Sequence, residues 1–291
     1  MTLGRITQRS LSDTALRGLQ GSLGRVQRLQ EQLSSGRRIE RPSDDPAGTA
    51  AAMTFRSQRS ASEQYLRNIE QASGRLASAD TALTTLSDRF RAVRDLMVSS
   101  VSGAKSADSL SALATELSAV RSEVVDLYNT RYLNRPVFGG TVRGSVAVDP
   151  TTGAYLGDEQ LVESRVSRDA TVRIDVRGTE AGADVAPDLL DRIAQNVAAG
   201  GATPTDFADI DDLMSKVLRT LGDVGARGAR IESTKAAVDA VRLDLTSRIS
   251  ESEEVDLPET IMNLQAQQVA YQAALGAAAR SQQVSLVDYL R

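Results

Sequence analysis

Hydrophobic residues recur at alternating spacings of three and four along most of this 291-residue chain, as they do in helices with one apolar stripe. The longest uninterrupted run covers four heptads and comprises Ile69, Ala72, Leu76, Ala79, Leu83, Leu86, Phe90, Val93 and Met97. The next run comprises Leu110, Leu113, Leu117, Val120, Val124 and Leu127. Because each stripe must be buried against another element, the pattern predicts long helices packed as a bundle.

The N-terminal region repeats this pattern and then stops sharply. Its apolar stripe comprises Leu16, Leu19, Leu23, Val26 and Leu33. Gly36 suits the left-handed position that ends a helix, and Pro42 opposes immediate resumption of helix. Pro46 fits the first position of a new helix, and Asp44 and Asp45 favour the positive end of its dipole. We therefore predict a helix that ends near Gly36, a corner, and a second helix from about residue 46.

The character of the sequence changes after Asn134-Arg135-Pro136. Residues 171–177 alternate between apolar and polar, as in a half-buried strand, and residues 145–148 form a second short alternating run. The turn signal Asp-Pro-Thr-Thr-Gly at 149–153 follows that run. These features predict a small β-rich inserted domain over 137–205, with one short helix near 187–198.

Helical periodicity returns after Pro204, and a last helix carries apolar residues from Ile261 onward. The predicted fold is mainly α: a long-helix bundle or coiled coil built from both chain ends, with the β-rich inserted domain in the middle. In sequence order, the predicted parts are an N-terminal segment (1–45), the first part of the bundle (46–136), the inserted domain (137–205), the second part of the bundle (206–250) and a C-terminal segment (251–291).

The two terminal helices carry polar residues on their stripes, namely Gln30, Gln268 and Gln282, which weaken a helix pair while fixing its register. Residues 1–45 contain eight arginines against five acidic residues, whereas 250–291 contain six acidic residues against two arginines. These helices are either ordinary members of an intramolecular bundle or become stable only when neighbouring subunits cover them. The second interpretation predicts a subunit interface at Leu16, Leu19, Leu23, Val26, Leu33, Ile261, Leu264, Tyr271, Leu275, Leu286 and Leu290.

The composition argues against an enzyme. The chain has no histidine and no cysteine, which excludes a Ser-His-Asp triad, a thiolate nucleophile and imidazole or thiolate metal sites. Carboxylates in the predicted insert have no recognisable catalytic spacing, and the adjacent Asp44 and Asp45 make a poor cation cage. A net charge of -4 provides no basic field for nucleic acid. We expect no catalytic residue, no cofactor, no metal ion, no nucleic-acid partner and no membrane partner.

The corner carries a recognisable signature. Residues 33–48, Leu-Ser-Ser-Gly-Arg-Arg-Ile-Glu-Arg-Pro-Ser-Asp-Asp-Pro-Ala-Gly, closely resemble the segment after the first helix in the bacterial flagellin family. Residues 255–261, 267–275 and 285–290 resemble the terminal helix of that family. The resemblance covers the helical regions at both ends and does not reach the predicted insert. It marks as the signature corner Ser34, Ser35, Gly36, Arg38, Ile39, Asp44, Asp45 and Pro46.

Two branches of the family compete. Flagellins proper usually have Ala-Lys-Asp-Asp-Ala-Ala-Gly where residues 42–48 of this chain are Pro-Ser-Asp-Asp-Pro-Ala-Gly. These prolines, the Arg5-Ile6-Thr7 opening and the Asp288-Tyr289-Leu290 ending are similar to the hook–filament junction branch, which we favour over a short flagellin. A cytosolic coiled-coil adaptor would share the heptads but has no reason to carry the corner.

The resemblance implies a structural subunit of the bacterial flagellum that joins hook to filament by helical self-assembly. Its polymerisation segments would be 1–45 and 251–291. The implied partners are other copies of the chain, hook-associated protein 1, flagellin, and a flagellar export chaperone on the C-terminal helix. The resemblance also implies secretion through the flagellar export apparatus and a location at the hook–filament junction.

Overall fold

A computed structural model describes residues 3–103, 105–142 and 144–287, with side chains described for 13–279 apart from 104 and 143. The described helices are α1 (Leu3–Ser35), α2 (Pro46–Val101), α3 (Ala107–Tyr128), α4 (Ala186–Ala199), α5 (Pro204–Glu253) and α6 (Leu257–Val287). The strands form two antiparallel pairs, β1 (Arg131–Tyr132) with β2 (Arg135–Pro136) and β3 (Glu163–Arg165) with β4 (Thr171–Arg173). The predicted mainly α fold with a small β-containing middle region is confirmed.

The chain divides into two compact units. One comprises Met1–Ser60 and Leu243–Arg291, and the other comprises Ala61–Arg242. The long helices α2 and α5 each contribute residues to both units. We call them the terminal unit and the central unit.

The core of the central unit is built on the longest heptad run of the sequence. All nine apolar residues predicted for that stripe are buried, with none more than 3% exposed. They share one core with buried residues of α3, α4 and α5, among them Leu117, Ile193 and Val217. Tyr128 closes this core at the end of α3, where its hydroxyl donates to the carbonyl of Ala181 at 2.7 Å. The predicted apolar stripe of α2 is therefore fully covered by other residues of the same chain.

The β-containing region departs from the prediction in two places, of which one is that β4 ends at Arg173, whereas the predicted strand continues to residue 177. Residues 145–148 do not form a strand, and Val148 makes only an isolated bridge with Tyr155. The side chain of Asn129 explains this result, because its Oδ1 accepts from the amides of Ala147 at 2.7 Å and Val148 at 2.9 Å. These amides are thus satisfied without a neighbouring strand. The predicted short helix near 187–198 is confirmed as α4.

A cluster of ion pairs anchors β4 in the central unit. Arg173 donates to Asp175 at 3.0 Å and to Glu180 at 2.7 Å, and Arg177 also donates to Glu180. Burial alone would raise the pKa of Glu180, but hydrogen bonds from both arginines outweigh it and lower this pKa to about 2. The backbone carbonyl of Glu180 accepts from Thr220 of α5 at 2.8 Å, which joins the cluster to the helical bundle.

Candidate assembly surfaces

Helices α1 and α6 pair in the terminal unit and run antiparallel. Near the middle of the pair, Gln267 Nε2 donates to Ser22 Oγ at 2.8 Å, and near its end Arg37 and Glu254 form an antiparallel bridge. Residues between the helices follow a heptad spacing and are all buried or half-buried. This paired seam consists of Leu19, Ser22, Val26, Leu29 and Leu33 of α1 with Thr260, Leu264, Gln267, Tyr271, Ala274 and Ala278 of α6.

The predicted interface residues of α1 fall on two different faces. Val26 is buried, and Leu19 and Leu33 are half-buried, so all three lie in the paired seam. Leu16 and Leu23, in contrast, are 51% and 40% exposed. The single predicted stripe is therefore two neighbouring stripes, of which only one is covered within the chain.

The predicted residues of α6 divide in the same way. Leu264 and Tyr271 are half-buried in the paired seam, whereas Ile261 and Leu275 are 45% and 43% exposed. The side chain of Leu286 and the whole of Leu290 lie outside the described residues. Sequence reasoning missed Ser22, Thr260 and Gln267, because polar residues do not register in an apolar pattern.

Further apolar residues on α6 are uncovered on its far side. Met262 is 64% exposed and Val269 is 66% exposed. At about 100° per residue, these two lie roughly opposite the paired seam. Apolar residues therefore surround α6, a pattern that is typical of helices buried on all sides.

The corner between α1 and α2 is clamped to the turn between α5 and α6. The amide of Arg38 donates to the carbonyl of Glu253 at 2.6 Å, and the amide of Val255 donates to the carbonyl of Gly36 at 3.1 Å. The Arg38 guanidinium donates to the carbonyl of Ser252 at 2.7 Å. An ion pair between Arg56 of α2 and Glu253 supports the same junction. The clamp fixes the point at which α1 ends and α6 begins.

No group of three or more acidic, histidine or cysteine side chains within the described residues is placed to hold a metal ion. Among those residues, no helix has the length and apolar character needed to cross a membrane. What the terminal unit presents is exposed apolar side chains on α1 and α6.

Comparison with known proteins identifies the family. The sequence model of the bacterial flagellin N-terminal helical region matches residues 6–141. The model of the bacterial flagellin C-terminal helical region matches residues 207–290. The chain belongs to the bacterial flagellin family. The unmatched stretch between them contains β3, β4 and α4.

Relatives include both branches of the flagellin family. Flagellar hook-associated protein 3 of Salmonella typhimurium is 26% identical over 177 residues, which are 60% of this chain and 56% of that protein. The match thus spans little more than half of that relative. Flagellar hook-associated protein 3 of Escherichia coli is 22% identical over 87% of this chain and 82% of that protein. The flagellar filament 33 kDa core protein of Treponema phagedenis and the flagellin of Bacillus subtilis are 24% and 25% identical over 98% and 99% of this chain and 96% and 100% of those proteins.

A solved structure shares the fold. A flagellar hook-associated protein from Vibrio parahaemolyticus aligns with a TM-score of 0.65 at 21% identity, covering 72% of this chain and 100% of that chain. The helical architecture described above is therefore found in an independently solved flagellar protein.

The geometry explains the flagellin-family signature at the corner. Gly36 adopts the left-handed conformation, with φ of 70°, as predicted for the residue that ends α1. Asp45 Oδ1 accepts from the amide of Gly48 at 2.8 Å and caps α2, which begins at Pro46. Asp44 Oδ2 accepts from the amide of Arg41 at 2.8 Å. The acidic pair therefore serves as helix cap and turn.

The remaining residues of the 33–48 signature differ in how many contacts they make. A Cβ added at Gly48 would lie 2.8 Å from Ile39 Cδ1 and 2.5 Å from Asp45 Oδ2, so a larger residue there requires these two side chains to shift. Ser35 Oγ accepts from the amide of Arg37 at 3.3 Å. Ser34 is exposed, and its side chain makes no hydrogen bond among the described residues. Arg38 forms the clamp described above and an ion pair with Asp45 at 3.5 Å.

Proposed function

We propose that this chain is the structural adaptor between the hook and the filament of a bacterial flagellum. One observation carries the proposal: equivalent heptad stripes are buried in the central unit but uncovered in the terminal unit. The predicted stripe of α2 is at most 3% exposed, whereas Leu16, Leu23, Ile261 and Leu275 are 40–51% exposed. Full burial of an exposed side chain of this kind contributes about 1.5–3 kcal/mol, and about half of that remains to be gained by each of these half-exposed residues. Association with other subunits is therefore favoured.

The proposed mechanism is self-assembly without covalent chemistry. Subunits in a tubular polymer meet through unlike surfaces, so the contact can repeat around and along the tube. In this scheme 1–45 and 251–291 are the polymerisation segments, 46–136 and 206–250 form the bundle, and 137–205 forms a lobe. The exposed members of the predicted interface, Leu16, Leu23, Ile261 and Leu275, supply the apolar contacts between subunits, whereas the other described members hold α1 against α6 within the chain. Neighbours in the axis would be hook-associated protein 1 and flagellin.

Two features support export before assembly. The chain has no cysteine, so no disulfide must break for it to travel unfolded. The apolar surface around α6 would also need cover before export, which suits an export chaperone on the C-terminal helix. Co-purification of the chaperone with the full chain, and its loss after removal of 257–291, would test this part.

Deletion of the gene tests the adaptor role. We expect intact hooks, no attached filament, and filament protein released into the medium, because the filament subunits would be exported without an attachment layer. Expression of the wild-type chain in the same cells should restore the filament. Hooks with no released filament protein would contradict the adaptor role.

A short flagellin is the second candidate. The observation in its favour is the match of flagellins over nearly the whole chain. Under this alternative, deletion would remove the filament subunit itself. The purified chain would then extend filament seeds, whereas an adaptor would stop after one layer.

A further inference from the structure

The tip of the β1–β2 hairpin in the central unit holds an apolar side chain in solvent. Leu133 is 72% exposed and has a left-handed backbone with φ of 47°, followed by Asn134 with φ of 63°. Glycine and asparagine suit this conformation, whereas leucine adopts it at a cost in free energy. Strain of this kind is concentrated at functional positions. Contacts within the chain do not account for a strained leucine that is mostly exposed.

The base of the hairpin is held firmly while its tip projects. The amide of Val137 donates to the carbonyl of Thr130 at 2.9 Å, and Arg75 of α2 donates to the carbonyl of Val137 at 3.2 Å. Tyr132 packs on α2 at Gly74, where an added Cβ would collide with the tyrosine ring. These contacts fix the direction in which the tip points.

Two arginines flank the tip and give it a positive charge. Arg131 and Arg135 are exposed, and neither forms an ion pair within the part of the chain that the structure describes. The guanidinium of Arg131 donates to the carbonyl of Asn134 at 2.8 Å, which leaves its charge uncompensated. The tip therefore combines an apolar side chain with two free cations, a combination that is complementary to an acidic groove with an apolar floor.

A groove of that kind lies between α4 and α5. It has a volume of about 480 Å³. The charged side chains that line it are Asp184, Asp188, Asp209 and Asp212 with Arg192 and Lys216. Asp209 pairs with Arg192, whereas the other three aspartates form no ion pair among the described residues. The groove therefore carries a negative charge.

The floor of the groove is apolar. Leu189 and Leu213 are buried beneath it, and Val185 at its edge is 39% exposed. An added leucine side chain would extend this apolar surface. Helix α4, which supplies one wall, lies in the stretch that neither flagellin-family sequence model matches. The groove is therefore a feature of this chain that those models do not describe.

The hairpin and the groove lie on opposite sides of the central unit. Ion pairs join its helices in the order α2, α3, α4, α5 and back to α2. They are Arg89–Glu123, Arg121–Asp191, Arg192–Asp206 and Arg94–Asp211. The hairpin follows α3 and packs on α2, so it lies across the bundle from the groove between α4 and α5. One copy cannot fill its own groove, and a contact between two copies would join unlike surfaces, as the proposed polymer requires.

The two surfaces also lie at different heights along the bundle. Arg75 marks the level of the hairpin on α2, whereas the ion pair of Arg94 with Asp211 marks the level of the groove. At 1.5 Å per residue, the displacement along the helices is about 25–30 Å. Copies joined through these surfaces would be staggered, so the contact would generate a helix and not a flat ring.

We propose that the β1–β2 hairpin of one copy of this chain docks in the groove between α4 and α5 of the next copy. Leu133 covers the apolar floor, and Arg131 and Arg135 pair with the aspartates of the rim. The contact involves the central units and is separate from the terminal helices. This inference rests on the proposed function and adds a second kind of contact between neighbouring subunits.

Disulfide crosslinking tests the proposal, because the wild-type chain has no cysteine. Cells express Leu133→Cys and Val185→Cys variants together or singly, and their isolated flagella are oxidised. We expect an adduct of twice the chain mass from flagella that contain both variants, and none from flagella that contain one. Leu133→Cys with Leu218→Cys is the matched control and should give none, since Leu218 is 45% exposed but lies about 200° around α5 from Lys216.

Three results of this experiment would overturn the proposal. One is an adduct from either variant alone, which would indicate a like-to-like contact. Another is an equal adduct in the control, and the third is no adduct from flagella that contain both variants. Absence of the wild-type chain from flagella would contradict the proposed function itself, whereas its presence without the expected adduct contradicts only this inference.

Charge reversal gives a second readout. Arg135→Glu and Asp212→Arg should each lower the amount of the chain in isolated flagella several-fold, because each brings like charges together at the contact. A chain that carries both substitutions should recover most of this loss. Glu116→Arg, an exposed reversal on α3, is the control and should have no effect, with equal helicity of all purified variants. A double variant that loses as much as both single variants combined would contradict the contact.

Discussion

Gln267 Nε2 donates to Ser22 Oγ at 2.8 Å, and this bond joins α6 to α1 through two residues that are 245 positions apart in the sequence. Ser22 is only 5% exposed, and both residues occupy heptad positions where a tighter pair would carry apolar side chains. A polar contact at such positions fixes register and lowers stability. The terminal pair therefore has a defined alignment and modest strength, which suits a segment completed by other subunits.

Removing one partner of this contact should destabilise the helix pair. Ser22→Ala leaves the Gln267 amide without its partner, so we expect a loss of about 1 kcal/mol. The double variant Ser22→Ala with Gln267→Leu should regain this loss, because both polar groups are then replaced by apolar ones. Circular dichroism during thermal unfolding gives the stability of the wild type, of each single variant and of the double variant. Strictly additive effects of the two substitutions would show that the contact does not form.

Replacing glycine at position 48 should destabilise the corner. Gly48→Ala places a methyl group against Ile39 and the Asp45 carboxylate, which disrupts the cap of α2 at a cost of about 1–3 kcal/mol. Gly18→Ala is the matched control, since a Cβ there meets nothing within 4 Å. The control should stabilise α1 by about 0.5–1 kcal/mol. Chemical denaturation should show that Gly48→Ala lowers the free energy of unfolding and that Gly18→Ala raises it. Equal effects of the two substitutions would refute the packing argument.

The clamp should depend on Arg38 and not on its neighbour Arg37. The Arg38 guanidinium bonds to the Ser252 carbonyl and pairs with Asp45, whereas no side-chain bond of Arg37 is found among the described residues. Arg38→Ala should therefore speed proteolytic cleavage between residues 36 and 46 several-fold relative to Arg37→Ala. Similar cleavage rates for the two variants would indicate that the backbone bonds alone hold the corner.

The central unit should fold without the terminal unit. Every residue of its buried core, from Ile69 to Val238, lies within residues 61–242. A fragment of these residues should unfold in one cooperative transition and keep the near-ultraviolet signal of Tyr128. A fragment that melts without cooperativity would show that the terminal unit is needed for this core.

Acid should weaken the central unit through Glu180. The pKa of Glu180 is lowered from 4.5 to about 2 in the folded chain. The ion pairs that hold it contribute stability above pH 4.5, and this contribution is lost as pH falls from 4.5 to about 2. At about 1.4 kcal/mol per pKa unit, the contribution is at most about 3 kcal/mol before solvent screening.

Glu180→Gln provides the comparison. The difference in the free energy of unfolding between wild type and this variant should shrink as pH falls through that window. Urea titrations at several pH values measure it. A difference that stays constant with pH would contradict the lowered pKa.

The sequence predicted the central helices well because each has one dominant stripe. All nine residues from Ile69 to Met97 proved to be buried. On α1 and α6 two stripes lie one residue apart, as Leu19 and Gln20 illustrate, and spacing alone cannot separate them. The prediction therefore merged Leu16 and Leu23 with Leu19 and Val26. Only a partner helix decides which stripe is covered.

Other features depended on contacts far apart in the sequence. The cap at Asp45 and the left-handed Gly36 could be predicted, since local backbone geometry determines both. The clamp of Arg38 on Ser252 joins residues 214 positions apart, and no local pattern indicates it. The strand predicted at 145–148 is absent for a similar reason. Asn129, which lies outside this segment, accepts hydrogen bonds from the amides of Ala147 and Val148.

The clamp at the corner also bears on how the terminal pair forms. Since Gly36 and Val255 are hydrogen-bonded, the end of α1 lies beside the start of α6, and the two helices can close progressively from that point. The clamp keeps each helix at a high effective concentration for the other, so this pairing is unimolecular. Dilution should therefore leave the pair intact while it separates one copy from the next.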